Sequence, residues 1–179
     1  MINIRDNVTI GNNVVMNKKN KSDRVGFTCG SFDLIHPGHI LMLEEAKAQC
    51  DYLIVGVQSD PTIDRAYKNK PIQSYDERII MVKSIKWVDD IVCYDTEDDL
   101  LQLLADIKPD VRIVGSDWKG KKFTGHELDI DVYFNSRDHS WSTSNLRRRI
   151  FNSEKNKIAE SIKPTIMVHP LNDCPVSGF

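Results

Sequence analysis

From Arg24 to about Asn152 the chain alternates between short apolar runs and longer amphipathic stretches. The clearest run is Asp51 to Val57, near-continuously apolar, as a parallel strand covered on both faces must be. Val25–Cys29, Ile91–Tyr94 and Val111–Gly115 have the same character, and Ile130–Phe134, which alternates, reads as a fifth strand. Ile40–Lys47, Glu77–Lys86 and Glu97–Ile107 read as helices, with Ile79, Ile80, Met81, Val82 and Ile85 supplying the buried face of the second. Ser142-Thr143-Ser144 caps a last core helix running from Asn145 to about Asn152. Strand-helix alternation on this scale predicts an α/β fold, a doubly wound, Rossmann-like, five-stranded parallel sheet with helices on both faces in a single domain. Such sheets bind ligands at the carboxyl ends of their strands, where the strand order reverses.

One strand-to-helix junction stands out, Cys29-Gly30-Ser31-Phe32-Asp33-Leu34-Ile35-His36-Pro37-Gly38-His39. Pro37 suits a first helical position, so His36 and His39 fall at a helix N-terminus, where free N–H groups and the dipole favour an anion. Gly30 and Gly38 would let a ligand approach the backbone. The junction reads as a phosphate site. Both the dinucleotide glycine fingerprint and the P-loop are absent, so neither hydride chemistry nor γ-phosphate transfer is the natural guess.

The chain has 179 residues, enough for one core domain with terminal excess, and a formal net charge of −2, which gives no reason to expect nucleic acid or anionic membrane as a partner. No apolar run approaches a bilayer span and the N-terminus lacks a signal-peptide core, so a cytoplasmic protein is expected. Cys29, Cys50, Cys93 and Cys174 form no C-x-x-C pair; none is assigned to metal or catalysis, and Cys29 and Cys93 read as reduced core thiols. Residues 1–22 read as an N-terminal extension: Ile4 to Val14 faintly resembles one turn of a hexapeptide β-helix, which cannot bury a core alone, and Asn17 to Ser22 is a polar linker. The domain is placed at 23–152, with a tail at 153–179.

A second cluster lies late in the core, Ser136-Arg137-Asp138-His139-Ser140-Trp141-Ser142-Thr143-Ser144. Hydroxyls at a helix start and a guanidinium able to grip phosphate in bidentate fashion complement the histidine junction. The Gly-Ser-Phe-Asp and His-Pro-Gly-His pair resembles the signature of the HxGH nucleotidyltransferase superfamily, in particular its cytidylyltransferases. The late cluster resembles that family's R-T-E-G-I-S-T-T/S at Arg137, Ser142, Thr143 and Ser144, and departs from it at Asp138, His139, Ser140 and Trp141. Gly115-Ser116-Asp117-Trp118 is similar to the G-D-D-W of glycerol-3-phosphate cytidylyltransferases, and Lys86-Trp87-Val88-Asp89 to R-Y-V-D. Lys68 and Lys70 fall where the family carries catalytic lysines, just before a match at Ser74, Tyr75 and Arg78; Lys68 is the favoured equivalent. The resemblance covers residues 25–150.

What the resemblance implies is transfer of a cytidylyl group from CTP to a small phosphomonoester such as glycerol 3-phosphate, with pyrophosphate leaving. His36, His39, Lys68 and Arg137 would be catalytic. Gly30, Ser31, Phe32, Asp33, Gly38, Lys70, Asp117, Trp118, Ser142, Thr143 and Ser144 would bind nucleotide. Mg²⁺ would ride on the phosphates, with Asp33 the first carboxylate to suspect near it, and the protein would be a homodimer. The alternatives are an ATP-using heptose-1-phosphate adenylyltransferase and a nucleotide-binding module without catalysis.

Overall fold

A computed structural model describes residues 9–10 and 23–162. The chain runs β1 (Thr9–Ile10), β2 (Val25–Gly30), α1 (Pro37–Lys47), β3 (Tyr52–Gln58), α2 (Tyr75–Lys83), β4 (Asp90–Tyr94), α3 (Glu97–Ile107), β5 (Val111–Gly115), β6 (Asp131–Asn135) and α4 (Thr143–Ile162), with a single 3₁₀ turn, Ser116–Trp118, after β5. All strands are parallel, in the order β1-β4-β3-β2-β5-β6. The five expected strands are present; the sixth, β1, has two residues and pairs with β4 at the edge, so the N-terminal extension contributes to the sheet. The β-helix-like stretch apart from Thr9–Ile10, the polar linker, Cys174 and the end of the tail lie outside the described residues.

Side-chain alternation along β3 builds two cores. Leu53, Val55 and Val57 pack with Leu43 and Ala46 of α1 and Ile79 and Val82 of α2. Tyr52 and Ile54 face the other way, with Phe27, Val92 and Tyr94, onto Leu100, Leu103, Leu104 and Ile107 of α3. Right-handed crossovers put α1 and α2 on one face of the sheet and α3 on the other. The chain leaves β2 toward β3 and β4, then returns to β2's other side with β5, so the order reverses between β2 and β5.

Element ends follow local capping. A reciprocal box between Ser74 and Glu77 starts α2 at Tyr75, two residues before the expected start, and Ser84 ends it. With Ile79 and Val82 inward, Ile80 and Met81 fall on the outer arc of that helix and are exposed, correcting their assignment to the core. A second box, Thr96 with Asp99, opens α3 at the expected residue; Lys108 in the left-handed region closes it. The last helix differs most, since α4 starts at Thr143 and runs on to Ile162 instead of ending near Asn152. Its outer half is polar and exposed, made of good helix formers with a Glu154–Lys157 ion pair at 2.7 Å, and Pro164 is the first breaker in the sequence.

Arg78 of α2, 1% exposed, ties the strand ends together. Its Nη1 donates to the carbonyls of Ser31 and Gln58 at 2.6 Å each, its Nη2 to Ser59 O and its Nε to Gln73 O. Tyr75, under the same guanidinium, donates to Val57 O at 3.1 Å. Arg78→Leu strips the donors from these carbonyls and should cost about 2–4 kcal/mol. Urea unfolding followed by circular dichroism measures it; a loss under about 1 kcal/mol would mean water replaces the guanidinium freely.

Candidate active site

Between β2 and α1 the backbone is forced through two non-glycine residues in the left-handed region, Phe32 at φ 50° and Leu34 at φ 49°. Asp33, between them, is 4% exposed and accepts three hydrogen bonds. Its Oδ1 accepts the backbone N–H groups of Ile72 and Gln73 at 3.0 Å each, and its Oδ2 accepts Arg147 Nη1 at 3.0 Å. Gln73 returns the link, its Oε1 accepting Leu34 N–H at 2.7 Å. Asp33, the carboxylate expected near Mg²⁺, thus gives three of its roughly four acceptor positions to the fold while also lining the cleft described below. Among the described residues no group of three or more His, Cys, Asp or Glu side chains could hold a metal ion. The donor set does not fit a protein-held Mg²⁺.

The histidines cap their own helix. Gly38 N–H donates to His36 Nδ1 at 3.1 Å and His36 N–H to His39 Nδ1 at 3.4 Å, a capping box built from two imidazoles. The rings stack with centroids 4.0 Å apart. Because each Nδ1 accepts, the proton of each neutral ring lies on Nε2. His36 Nε2 lies 3.4 Å from Thr143 Oγ1, whose own proton goes to Asp33 O at 3.2 Å. Burial, reinforced by His139 and Arg137, lowers the pKa of His36. Burial and the adjacent His36, opposed by Asp33, push His39 down to about 4. At neutral pH the pair is uncharged and donating.

Thr143 joins the two halves. It opens α4, where Ser142 Oγ accepts Asn145 N–H at 3.2 Å, so the N-termini of α1 and α4 converge on one place. Beside it lies a cleft of about 830 Å³ at the carboxyl ends of the strands, lined by Gly30, Ser31, Lys68, Trp118, Thr143, Ser144 and Arg147 among others. The late cluster and the histidine junction thus meet, although more than a hundred residues separate them.

Other expected residues sit differently. Lys68 faces the cleft, whereas Lys70 lies 3.8 Å from Asp60, which favours Lys68. Arg137 and Asp117 are ion-paired with each other. Phe32 is buried in the core with its ring 5.6 Å from His39, so it supports the imidazole and does not line the cleft. Gly38 makes room for a protein ring: a Cβ there would fall 2.6 Å from His139 Cε1 and 3.0 Å from His36 Cε1. His139, a departure from the family pattern, is therefore a third imidazole at the junction, stacked toward Trp141 at 5.4 Å. Sequence reasoning also missed Arg147; its signal is the helical spacing of four from Thr143, which puts both on one face.

The sequence model of the cytidylyltransferase-like family matches residues 27–149. The chain is 39% identical over 122 residues to the bifunctional protein HldE of Paramagnetospirillum magneticum, covering 68% of this chain and 25% of that one. It is 36% identical over 137 residues to HldE of Campylobacter concisus, covering 76% and 29%. The chain thus spans a little over a quarter of the length of these relatives. Among solved structures it resembles the lipopolysaccharide core biosynthesis protein of Thermoplasma volcanium GSS1, with a TM-score of 0.56 and 28% identity over 65% of this chain and 99% of that one. A pantoate-β-alanine ligase of Francisella tularensis shares the fold at a TM-score of 0.53 and 18% identity, over 86% and 77%.

The low pKa of His39 has a consequence for stability. Between about 4 and 6.5 the unfolded ring binds a proton that the folded ring refuses, so stability is whole above 6.5 and falls as pH drops through that window. The loss attributable to this ring is about 3 kcal/mol at most. Urea unfolding at pH 4.5 and 7.5 should show His39→Asn losing measurably less than the unsubstituted protein; equal losses would place the acid sensitivity elsewhere.

Proposed function

The chain belongs to the cytidylyltransferase-like family of nucleotidyltransferases, and on that premise we propose that it transfers a nucleotidyl group from a nucleoside triphosphate to a small phosphomonoester. The observation that carries this reading is the pair of stacked imidazoles that cap the start of α1, with His36 Nε2 3.4 Å from Thr143 at the N-terminus of α4. An oxygen of the acceptor phosphate attacks the α-phosphorus; a new P–O bond forms, the bond to the β-phosphate bridging oxygen breaks, and pyrophosphate leaves with the electron pair. The attacking group is already anionic, so no covalent enzyme intermediate is needed. Fixed donors at the equatorial and leaving oxygens do the work: His36 and His39 from one side, with Lys68, Arg137, Arg147 and the hydroxyls of Ser142, Thr143 and Ser144 from the other. Mg²⁺ belongs to this reading only as the companion of the triphosphate, keeping most of its waters.

ATP as donor and a sugar phosphate as acceptor, the heptose-1-phosphate type of reaction, is the reading better supported by the relatives, which are HldE proteins and a lipopolysaccharide core biosynthesis protein. CTP keeps one observation on its side, Trp118 at the cleft beside the Asp117–Arg137 pair. The assembly that goes with this reading is a homodimer paired through core helices; apolar side chains left exposed at Ile80 and Met81 of α2 and Phe151 of α4 support it.

Pyrophosphate release with each of the four triphosphates against a panel of phosphomonoesters tests the donor: turnover should be fastest with ATP and a sugar 1-phosphate, and a CTP preference across the panel would restore the cytidylyl reading. His39→Ala should lower kcat by about 10²–10³ with little change in triphosphate affinity by calorimetry. Near-normal turnover would return the site to a binding role. Light scattering of the protein lacking residues 1–22 should still give a dimer; a monomer would assign assembly to the extension.

A further inference from the structure

Cys29 stands one residue before the end of β2, half-buried, and lines the cleft on the α3 side of the sheet. Gly56, opposite it in register on β3, leaves its space open: a Cβ there would fall 3.0 Å from Cys29 Cβ and 3.3 Å from Tyr94 Cε1. Against the sulfur lies Arg112 of β5, 5% exposed, its Nη2 donating to Cys29 Sγ at 3.6 Å. The guanidinium is packed between two aromatic rings, 5.7 Å from the centroid of Phe27 and 5.8 Å from that of Phe123. Its Nε and Nη1 are buried without any hydrogen-bond partner, and among the described residues no carboxylate pairs with it. The cleft's glutamates have partners of their own, Glu97 with Arg65 at 2.7 Å and Glu127 with His126 at 2.8 Å. Tyr94 flanks the same sulfur; burial first, then Cys29, raises its phenol well above the ordinary value, so it stays a protonated donor.

A cation held in an apolar wall against a half-exposed thiol suits a sulfur that gains anionic oxygen. Nε and Nη1 lie on different edges of the planar fork, and Nη2, the group that meets Cys29, belongs to both edges. An oxygen bonded to that sulfur therefore comes to lie beside a guanidinium edge that still has an unused donor, whichever side it takes. We propose that Cys29 is an oxidation site, converted by hydrogen peroxide to a sulfenic acid whose anion Arg112 holds. The thiolate sulfur attacks one peroxide oxygen; an S–O bond forms, the O–O bond breaks, and the second oxygen leaves with the electron pair as hydroxide and takes a proton from solvent. Sulfur is oxidised by two electrons and the peroxide is reduced to water. Cys93 and Cys50 pack in the core on the opposite face, with α1 and α2, so the sheet separates both from this sulfenic acid and neither condenses with it to a disulfide. The oxidised group stays on the cleft wall, where its charge opposes the phosphates brought in for transfer. That last effect rests on the nucleotidyl-transfer reading; the chemistry on sulfur does not.

To test it, the reduced full chain is treated with hydrogen peroxide in the presence of dimedone, which traps sulfenic acids, and labelling at each cysteine is followed by peptide mass spectrometry. Cys29 should label at least about tenfold faster than Cys50 and Cys93. Arg112→Met, which removes the charge, should slow labelling at Cys29 about tenfold or more. Arg112→Lys, which keeps the charge without the fork, should fall between, and it carries the comparison if the methionine variant does not fold. Equal labelling of Cys29 and the core thiols would overturn the proposal, as would a Cys29 rate unchanged when Arg112 is replaced, which would make exposure alone the cause. In a second arm, without dimedone, peroxide should lower pyrophosphate release from ATP and a sugar 1-phosphate and dithiothreitol should restore it, while Cys29→Ser should release pyrophosphate at the untreated rate and not respond. Release that survives oxidation of Cys29 would overturn the effect on transfer. A reduced chain that releases no pyrophosphate with any acceptor would overturn the transfer reading and leave the oxidation site standing.

Discussion

Asp33 carries one of the heaviest structural duties around the site. The turn around it holds two side-chain-bearing residues in left-handed backbone, each costing roughly 1–2 kcal/mol. Three donors on one buried carboxylate offset this, since hydrogen bonds to a charged group contribute about 1.5–3 kcal/mol each. The same three bonds reach the loop before α2 and the first turns of α4. One side chain thus fixes the histidine junction, the approach of the lysine-bearing loop and the second helix N-terminus relative to one another. Arg78 does the complementary task with the opposite charge, gathering carbonyls where Asp33 gathers N–H groups.

The electrostatics of the cleft follow from that arrangement. Lys68 and Arg147 line it together with Arg65, Arg112 and Lys122, alongside Glu97, Asp98 and Glu127, and the two helix N-termini turn their positive ends toward it. The imidazoles resist protonation chiefly because they are buried, with the neighbouring rings and, at His36, Arg137 adding to the resistance. The outcome is a division between charge and direction. Cations provide long-range attraction, while neutral rings, held through Nδ1, keep their Nε2 protons in fixed directions.

The fold was largely legible because parallel strands buried on both faces leave apolar runs, and β5 and α3 coincide with their expected spans. The histidine junction was legible for a different reason, a rare combination of residue types at a strand-to-helix boundary. What was hidden is what depends on shape. Phe32 proves to be a core residue, Gly38 makes room for His139, and three donors claim Asp33, because a sequence shows that a carboxylate is near a site but not which donors hold it. His139 fills the space Gly38 leaves, a relation between residues a hundred positions apart. The length of α4 escaped because a polar, exposed helix carries no apolar period to read.

The bond between Asp33 and Arg147 joins residues 114 positions apart. Contacts of that separation form only after the intervening chain has closed a long loop, so they come late in folding. The sheet's middle can assemble earlier, from β2, α1 and β3, which are neighbours in the chain. A ribosome-bound fragment ending before α4 would therefore hold strands and histidines but lack the Arg147 grip on Asp33 and the Thr143 contact with His36. The histidine junction therefore reaches its final geometry only once the last core helix has docked, which makes the end of the domain, not its beginning, the step that completes it.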